Sequence, residues 1–527
     1  MLRKFLSISN FAQSGLNTDL MPWDMSGEFL TEVQNVRILN NQLTPSGGAT
    51  LWDTLPIGFK PGYILPVSST SGEYWLIAGL DSILVYNGNS FADISNIAGY
   101  PGVLDEDLWT GCMITNIPII VNPGHYPEYW PQQTPGVTME YLPWDATRTW
   151  EEAGEFCRII RSHKQYLFAL ILQSNADEII DGVRWSSPAD ISGVPETWDH
   201  LDSTNVAGLV KLGGSGGRII DGLSLRDAFC VYRESGISIF DFVGGQFVWR
   251  VRHLSSTDGL ASSNSIIEVK GKHYFISGSD ILVNDGNTVK SLIHKRIKSR
   301  FKSDFSTDSY QNSYIVRNNT SDEIWFCIPE QGSTYANLAY VYNYIDDTWS
   351  IRDIPEAPFA NYGSRNSPSS IWSDLDMTWE SNSSTWSDSN ISPFDDEIVS
   401  VAKPTQEEVG GELLLLNSPI SGLTTPFNSV IERVGFALEG LDEVTTITRL
   451  YPHMTGPGSI DIELGSQDYP GAPIRWKPAV TFTPGVDRKV DVRSTGELHC
   501  FRLSDSNVDA DWALSGIDIE YTMAGRR

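Results

Sequence analysis

Eight histidines lie singly along the chain, with no HxH or HExxH spacing, so any metal centre would have to be assembled from distant positions. Five cysteines (Cys112, Cys157, Cys230, Cys327 and Cys500) are far apart and never form a CxxC pair. That pattern fits neither a disulfide framework nor a zinc site, and it suits synthesis in a reducing cytosol. Nucleophile and phosphate signatures are also missing: there is no GxxxxGK[ST] loop, and the one literal GxSxG match, at residues 213–217, does not read as a nucleophile elbow. Gly213-Gly214-Ser215-Gly216-Gly217 is rich in glycine, but no lysine follows it and its flanks read as strands, so it is a connection between strands. Glycoside hydrolysis needs only two carboxylates on facing loops, and carboxylates abound. The sialidase-type turn that would place them is not matched by Ser256-Thr257-Asp258-Gly259, which lacks its spacing and its Trp. A calcium site would need several oxygen ligands, and Asp374, Asp376, Glu380 and Asp388 supply them; the 12-residue spacing with a central Gly does not. No catalytic residue, cofactor or metal is expected.

Charge is the stronger signal. The chain of 527 residues carries 37 Lys+Arg against 66 Asp+Glu, a net charge of −29. A surface that clamps nucleic-acid phosphates or anionic lipid needs clustered cations, which this balance opposes. One stretch runs against it: Lys295, Arg296, Lys298, Arg300 and Lys302 crowd into a few residues. In so acidic a protein, this stretch is expected to meet an acidic face of a neighbouring subunit. The acids concentrate elsewhere in turn-rich sequence, including Asp374, Asp376, Asp388, Asp395, Asp396 and Glu397, which are candidates for an acidic channel or loop.

The elements that position these groups read as strands. Gly (45) and Pro (28) recur throughout, and short β-branched and aromatic runs alternate with tight turns. Tyr74–Gly79, Ser82–Tyr86, the turn Asn87-Gly88 and Phe91–Ile94 form one such unit. Others are Ala228–Tyr232 to Val251, His273–Ile276 to Leu292, and Glu323–Ile328 to Ser350. Each is an aromatic strand, a second strand, a turn and a closing strand, recurring every 40–50 residues or so, the period of four-stranded propeller blades. The chain is therefore read as all-β. Residues 1–50 form an N-terminal arm, 51–358 a β-propeller of about six or seven blades, 359–430 an acidic Trp/Ser/Asp-rich insertion and linker, and 431–527 a C-terminal antiparallel sandwich or platform. A pair of sandwiches is the alternative for the central region. Within the insertion, Trp372, Trp379 and Trp386 stand seven apart, but Ser, Asp and Asn fill the intervals, which argues for turns pinned by Trp over a coiled coil. No run approaches the roughly 20 apolar residues of a membrane span, and the N-terminus lacks the apolar core of a signal peptide.

Two ends and the middle of the chain resemble a known family. Asn10-Phe11-Ala12-Gln13-Ser14-Gly15-Leu16-Asn17-Thr18-Asp19-Leu20-Met21-Pro22-Trp23 leads to Gln34-Asn35-Val36-Arg37, then Leu43, Pro45 and Gly47-Gly48. Val183-Arg184-Trp185-Ser186 with Trp198, the Trp-Ser-Asp repeat, and Trp512 to Tyr521 closed by Gly525-Arg526-Arg527 complete the pattern. It resembles the tail nozzle proteins of short-tailed bacteriophages (tail tubular protein B-like). The resemblance implies a structural virion protein without an active site. It would sit in a hexameric ring at the distal end of the tail, made in the host cytoplasm, joined to an adaptor protein and carrying tail fibres or spikes. Six copies would hold roughly −170 formal charges, a conduit that lets double-stranded DNA slide without tight binding. A glycan hydrolase or a carbohydrate-binding propeller is the alternative, since 17 Trp and 20 Tyr can stack on sugars.

Overall fold

A computed structural model of the chain describes residues 3–9, 12–69, 72–103, 105–174, 177–191, 193–202, 204–244, 248–364, 396–404, 409–418, 428–506 and 511–526. It is nearly all β, and its recurring unit is a four-stranded antiparallel sheet. The first sheet runs Pro61–Ser69, Gly72–Gly79, Ile83–Tyr86, Phe91–Asp93, and the second Thr110–Ile114, Ile117–Val121, Glu128–Tyr129, Glu140–Tyr141. The third is Glu155–His163, Tyr166–Ser174, Asp177–Trp185, Gly208–Lys211, and the fourth Ile219–Leu225, Ala228–Arg233, Gly236–Phe242, Trp249–Ser255. The fifth follows with Ile266–Val269, Lys272–Ser277, Asp280–Asn284, Val289–Ser291, and the sixth with Tyr314–Asn318, Glu323–Ile328, Ala336–Asn343, Thr348–Ala357.

The seventh sheet is composite. Phe359–Ser364, Asp396–Ala402 and Glu412–Ser418 are joined by Gly48–Thr54 from the far end of the sequence, which pairs with Glu412–Ser418. The boundaries expected at residues 51 and 358 cut across this sheet, because a strand borrowed over such a sequence distance leaves no local signal. The first strand of each sheet lies against that of the next, and Phe359–Ser364 lies back against Pro61–Ser69. The turns behave as their residues require: the Asn87 side chain accepts from the backbone of Asn89 and Ser90, and that of Asp285 from Asn287 and Thr288.

The remaining strands build a two-layer region from both ends of the chain. In one layer Ala513–Arg526 pairs with Glu443–Thr455 on one side and with Arg3–Ser9 and Gln42–Pro45 on the other. The second layer continues the sixth sheet: Thr348–Ala357 meets Glu32–Gln34, followed by Ser429–Phe436, Leu498–Asp505 and Ile460–Gln467. Ile447, Leu450, Leu514 and Ile519 from the first layer share one buried core with Ile431, Ile462 and Leu503 from the second, and that core continues into Trp349, Tyr340 and Phe301. Burying Trp349, Tyr340 and Phe301 fully is worth about 2–3 kcal/mol each, so the N-terminal arm and the C-terminal strands are fastened to the sixth sheet. No helix among the described residues is long and apolar enough to cross a membrane.

Candidate functional site

Seven first strands converge, and charged side chains occupy the place where they meet. Arg161 stands in the strand Glu155–His163 and Asp221 in Ile219–Leu225, and both side chains are buried. The Arg161 Nε and Nη2 donate to the two carboxylate oxygens of Asp221 at 2.9 and 2.7 Å, and its Nη1 donates to the Gly111 carbonyl at 2.7 Å. Asn264 completes the group: its side-chain oxygen accepts from Arg161 at 2.8 Å while its backbone N–H donates to Asp221 at 3.0 Å. Burial opposes the Arg161 charge, but Asp221 outweighs it and holds the guanidinium pKa above its ordinary range. Burial likewise pushes Tyr63 and Cys112, both beside Arg161, up to about 12. This is a satisfied structural ion pair that joins the second, third and fourth sheets.

Beside it opens a cavity of about 260 Å³ lined by six of the seven sheets and by the connection leading into the fifth. Three of its charged side chains, Asp107, Arg158 and Arg218, are already paired. Arg158 and Arg218 share the Glu178 carboxylate at 2.9 and 2.7 Å. Asp107 receives Lys403 Nζ at 2.9 Å and the Tyr335 hydroxyl at 2.8 Å, and Lys403 also reaches Glu106 at 2.9 Å. Burial raises the Asp107 pKa despite Lys403, whereas at Glu106 burial is outweighed by Lys403 and the pKa falls. Asp105, Glu106 and Asp107 together have the donors for a cation, but the Lys403 ammonium sits on two of them. Lys403 follows the second strand of the seventh sheet, so it ties that sheet to the link between the first and second.

The cationic stretch lies largely on the short helix Lys298–Asp304 and is turned inward onto the chain's own acids. Arg296 pairs with Asp347 at 2.9 Å, Lys298 with Asp280, and Arg300 with Glu32 and, at 3.5 Å, Asp304. Lys295 and Lys302 are exposed. Three of the five cations therefore hold the helix to the fifth and sixth sheets and the arm, and two remain to meet anything outside. Of the acidic candidates, Asp396 and Glu397 open the strand Asp396–Ala402, half-buried and opposite Ser364 and Gly363; Asp374, Asp376, Asp388 and Asp395 fall outside the described residues, as do Glu380 and the Trp repeat.

The N-terminal run is a clamp. Gly15 has φ +68°, and a Cβ there would stand 2.8 Å from the Trp349 backbone nitrogen, so only glycine lets the arm pass this close to the sixth sheet. Asn17 turns the chain by accepting from the backbone of Asp19 and Leu20 at 3.1 Å, and donates to the Lys295 carbonyl at 3.2 Å. The Asp19 carboxylate accepts from the backbone nitrogens of Lys298 and Ser299 at 3.0 Å each, capping the helix that carries the cations. Asn35, at φ 56°, donates to Asp353 at 2.8 Å and to the Asn428 carbonyl at 2.7 Å. Arg37 pairs with Glu323 at 2.7 Å. Farther along, Trp185 donates to the Val206 carbonyl at 2.9 Å, Trp198 stacks edge-on against Trp150, and Trp512 donates to Asp505 at 2.9 Å.

Four of the eight histidines and most of the cysteines are buried. His163, His273 and His499 are buried, and burial lowers each pKa to about 4. Four cysteines are buried and Cys112 half-buried; burial raises every thiol, to about 11 at Cys500, so none stands as a thiolate. Sequence spacing gave no sign of Arg161, Asp221 and Lys403; the one available signal was Asp221, a lone charge in the strand Ile219–Leu225.

No protein-family model matches the sequence, and no curated protein does. Among solved structures, the AfRom2 CNH domain aligns with 8% identity over 70% of this chain and 99% of that one, at a TM-score of 0.36. The extracellular domain of a hybrid two-component system from B. thetaiotaomicron aligns with 12% identity over 63% of this chain and 39% of that one, at a TM-score of 0.32.

Proposed function

We propose that this chain is the subunit of a nozzle ring at the distal end of a short bacteriophage tail. In this reading it is a structural virion protein whose seven sheets are the blades of a β-propeller on a sandwich platform. The ordered contacts of the seven first strands and the seventh sheet completed by Gly48–Thr54 support the propeller, since a ring of blades gains its closure by mixing strands from the two ends. The observation that carries the function is where the residues of the family resemblance fall. Gly15, Asn17, Asp19, Asn35 and Arg37 bind the arm to the sixth sheet and its helix, Trp185, Trp198 and Trp512 pack or bridge strands, and none of them lines the axial cavity. The arm residues among them tie the sixth sheet to the two-layer region and the tryptophans brace strands locally, both structural tasks; a family defined by catalysis would keep its shared residues around a cavity.

The charge supports a conduit. A polyanion bearing one charge per about 1.7 Å gains affinity from Lys/Arg contacts that release counterions, and this chain has few clustered cations to make them. The axial cavity favours the second reading, a glycan-binding or glycan-hydrolysing propeller, because it is polar and reached by Tyr310 and Asn312. Mass decides between them. The ring reading expects a species of about 350 kDa from a 58.5 kDa chain, annular by negative-stain imaging, with negligible affinity for duplex DNA at low salt. A monomer that turns over bacterial surface polysaccharide would establish the second reading, and tight, steeply salt-dependent DNA binding would defeat the first.

A further inference from the structure

The two-layer region is open along one side. Between the edge strand Arg3–Ser9 and the strand Ser429–Phe436 lies a groove of about 450 Å³, walled by Leu6, Ile8, Trp23, Leu30, Phe436 and Phe501. Arg433 stands in its wall and is only 4% exposed. Its guanidinium donates to the carbonyls of Met25 at 3.1 Å and Val434 at 3.2 Å and touches the Met25 sulfur at 3.5 Å; its Nε has no partner. Among the described residues no carboxylate pairs with it. Glu28, on the groove's rim, is exposed, and its carboxylate accepts from Ser14 at 3.4 Å. Burial alone moves the Arg433 pKa down to about 10, the direction expected of a cation removed from water without an anion. A buried charge answered only by neutral carbonyls is costly, and it becomes favourable when an anion arrives.

The strand beside it is equally incomplete. Arg3–Ser9 pairs with Ala513–Arg526 on one side, and among the described residues nothing pairs with its other edge. Its cations are already matched, Arg3 to Glu520 and Lys4 to Glu439, so the groove lacks a strand and a negative charge. We propose that the groove receives an extended segment of a second copy of this chain, which adds a strand beside Arg3–Ser9, seats apolar side chains against Leu6, Ile8 and Phe436, and sets a carboxylate on Arg433. This rests on the ring reading, which brings copies side by side. With 66 acidic residues per chain, a neighbour is a ready source of the carboxylate. Strand addition at an open edge supplies main-chain hydrogen bonds, while the pockets supply register. The contact joins different surfaces of the two copies, the kind of interface that closes into a ring.

The experiment measures self-association of the full chain by sedimentation velocity for wild type, Arg433→Gln, Arg433→Lys and Gly27→Trp, with circular dichroism confirming the fold. Gly27 is exposed, lines the groove and has nothing within 4 Å of an added Cβ, so Trp there obstructs the groove without entering the core and decides the matter if Arg433→Gln misfolds. Arg433→Gln is expected to weaken association at least about thirtyfold, with partial recovery in Arg433→Lys and a similar loss in Gly27→Trp. Rings that form as readily in folded Arg433→Gln and Gly27→Trp as in wild type overturn this inference and leave the ring reading standing. A wild-type chain that stays at 58.5 kDa at every concentration tested overturns both.

Discussion

Replacing Asp221 with Asn tests the axial ion pair at nearly constant volume. Asp221 is fully buried and takes four hydrogen bonds: two from Arg161 at 2.9 and 2.7 Å, one from the Asn264 backbone at 3.0 Å and one from the Gly222 backbone at 2.7 Å. Asparagine keeps one acceptor oxygen but turns an NH₂ toward donors, and it leaves the Arg161 guanidinium without its counter-charge. Breaking a buried pair from one side costs about 3–5 kcal/mol. For a cooperative unit of this size the melting temperature should fall by roughly 6–10 °C, at the lower end of the usual shift per kcal/mol for large domains. Arg161→Met with Asp221→Leu removes both charges, and it should recover more than half of the loss, since apolar replacement of a whole pair is often close to neutral. Thermal unfolding at pH 7, followed by circular dichroism and calorimetry, reads all three. A single Asp221→Asn variant that melts within about 2 °C of wild type would refute the claim that this pair organises the axis.

Acid should weaken the fold through its buried imidazoles. His163, His273 and His499 have pKa values lowered to about 4 by burial, whereas the unfolded chain takes up these protons near pH 6.5. Their contribution is therefore full above about pH 6.5 and falls by up to about 3 kcal/mol per ring as pH drops to 4; urea midpoints across that window should show the slope, and His273→Gln should flatten it by about a third. Reversing only the two exposed cations, Lys295→Glu with Lys302→Glu, should leave the melting temperature unchanged yet reduce ring formation, while Arg300→Glu should lower the melting temperature because it breaks the pairs with Glu32 and Asp304. Unaltered ring mass in the double reversal would remove the stretch from any subunit contact.

What was legible in the sequence was local. The strands around Tyr74–Tyr86, Ala228–Val251, His273–Leu292 and Glu323–Ser350 announce themselves by β-branched and aromatic runs, most of them with Asn-Gly, Asp-Gly or Gly-Gly turns; the first three groups lie in four-stranded sheets and the last in the sheet that continues into the second layer. What lay hidden was pairing across distance. Nothing in Gly48–Thr54 says that it completes a sheet with Glu412–Ser418, and nothing in Arg3–Ser9 says that it runs beside Ala513–Arg526, because hydrogen-bonded edges have no sequence code beyond their period. The cationic stretch misleads for a related reason. Five clustered charges look available when read in one dimension, but Asp280, Asp347 and Glu32 arrive from separate segments to pair with three of them.

That same folding-in of cations bears on where a passage for DNA would run. Arg161, Asp221 and Asn264 bond to one another where the third and fourth sheets meet, and in the propeller reading that group stands in the path a polymer would take through one subunit. In a ring the passage must lie between copies, and its wall must be drawn from the outer surfaces of the sheets and the two-layer region. Among the described residues, about half of the Lys and Arg side chains pair with carboxylates of the same chain, including Arg3, Lys4, Arg37, Arg158, Arg218, Arg449 and Arg502. Each internal pair removes one cation and one anion from the exterior, so the excess of 29 negative charges is borne by a smaller set of unpaired groups. The field outside the subunit is then more uniformly negative than the composition suggests, and neighbouring copies repel one another unless specific contacts overcome it. A ring built from such a chain needs a few places where a buried positive charge waits for an acid, and Arg433 has the burial, the missing partner and the adjoining open strand that such a place requires.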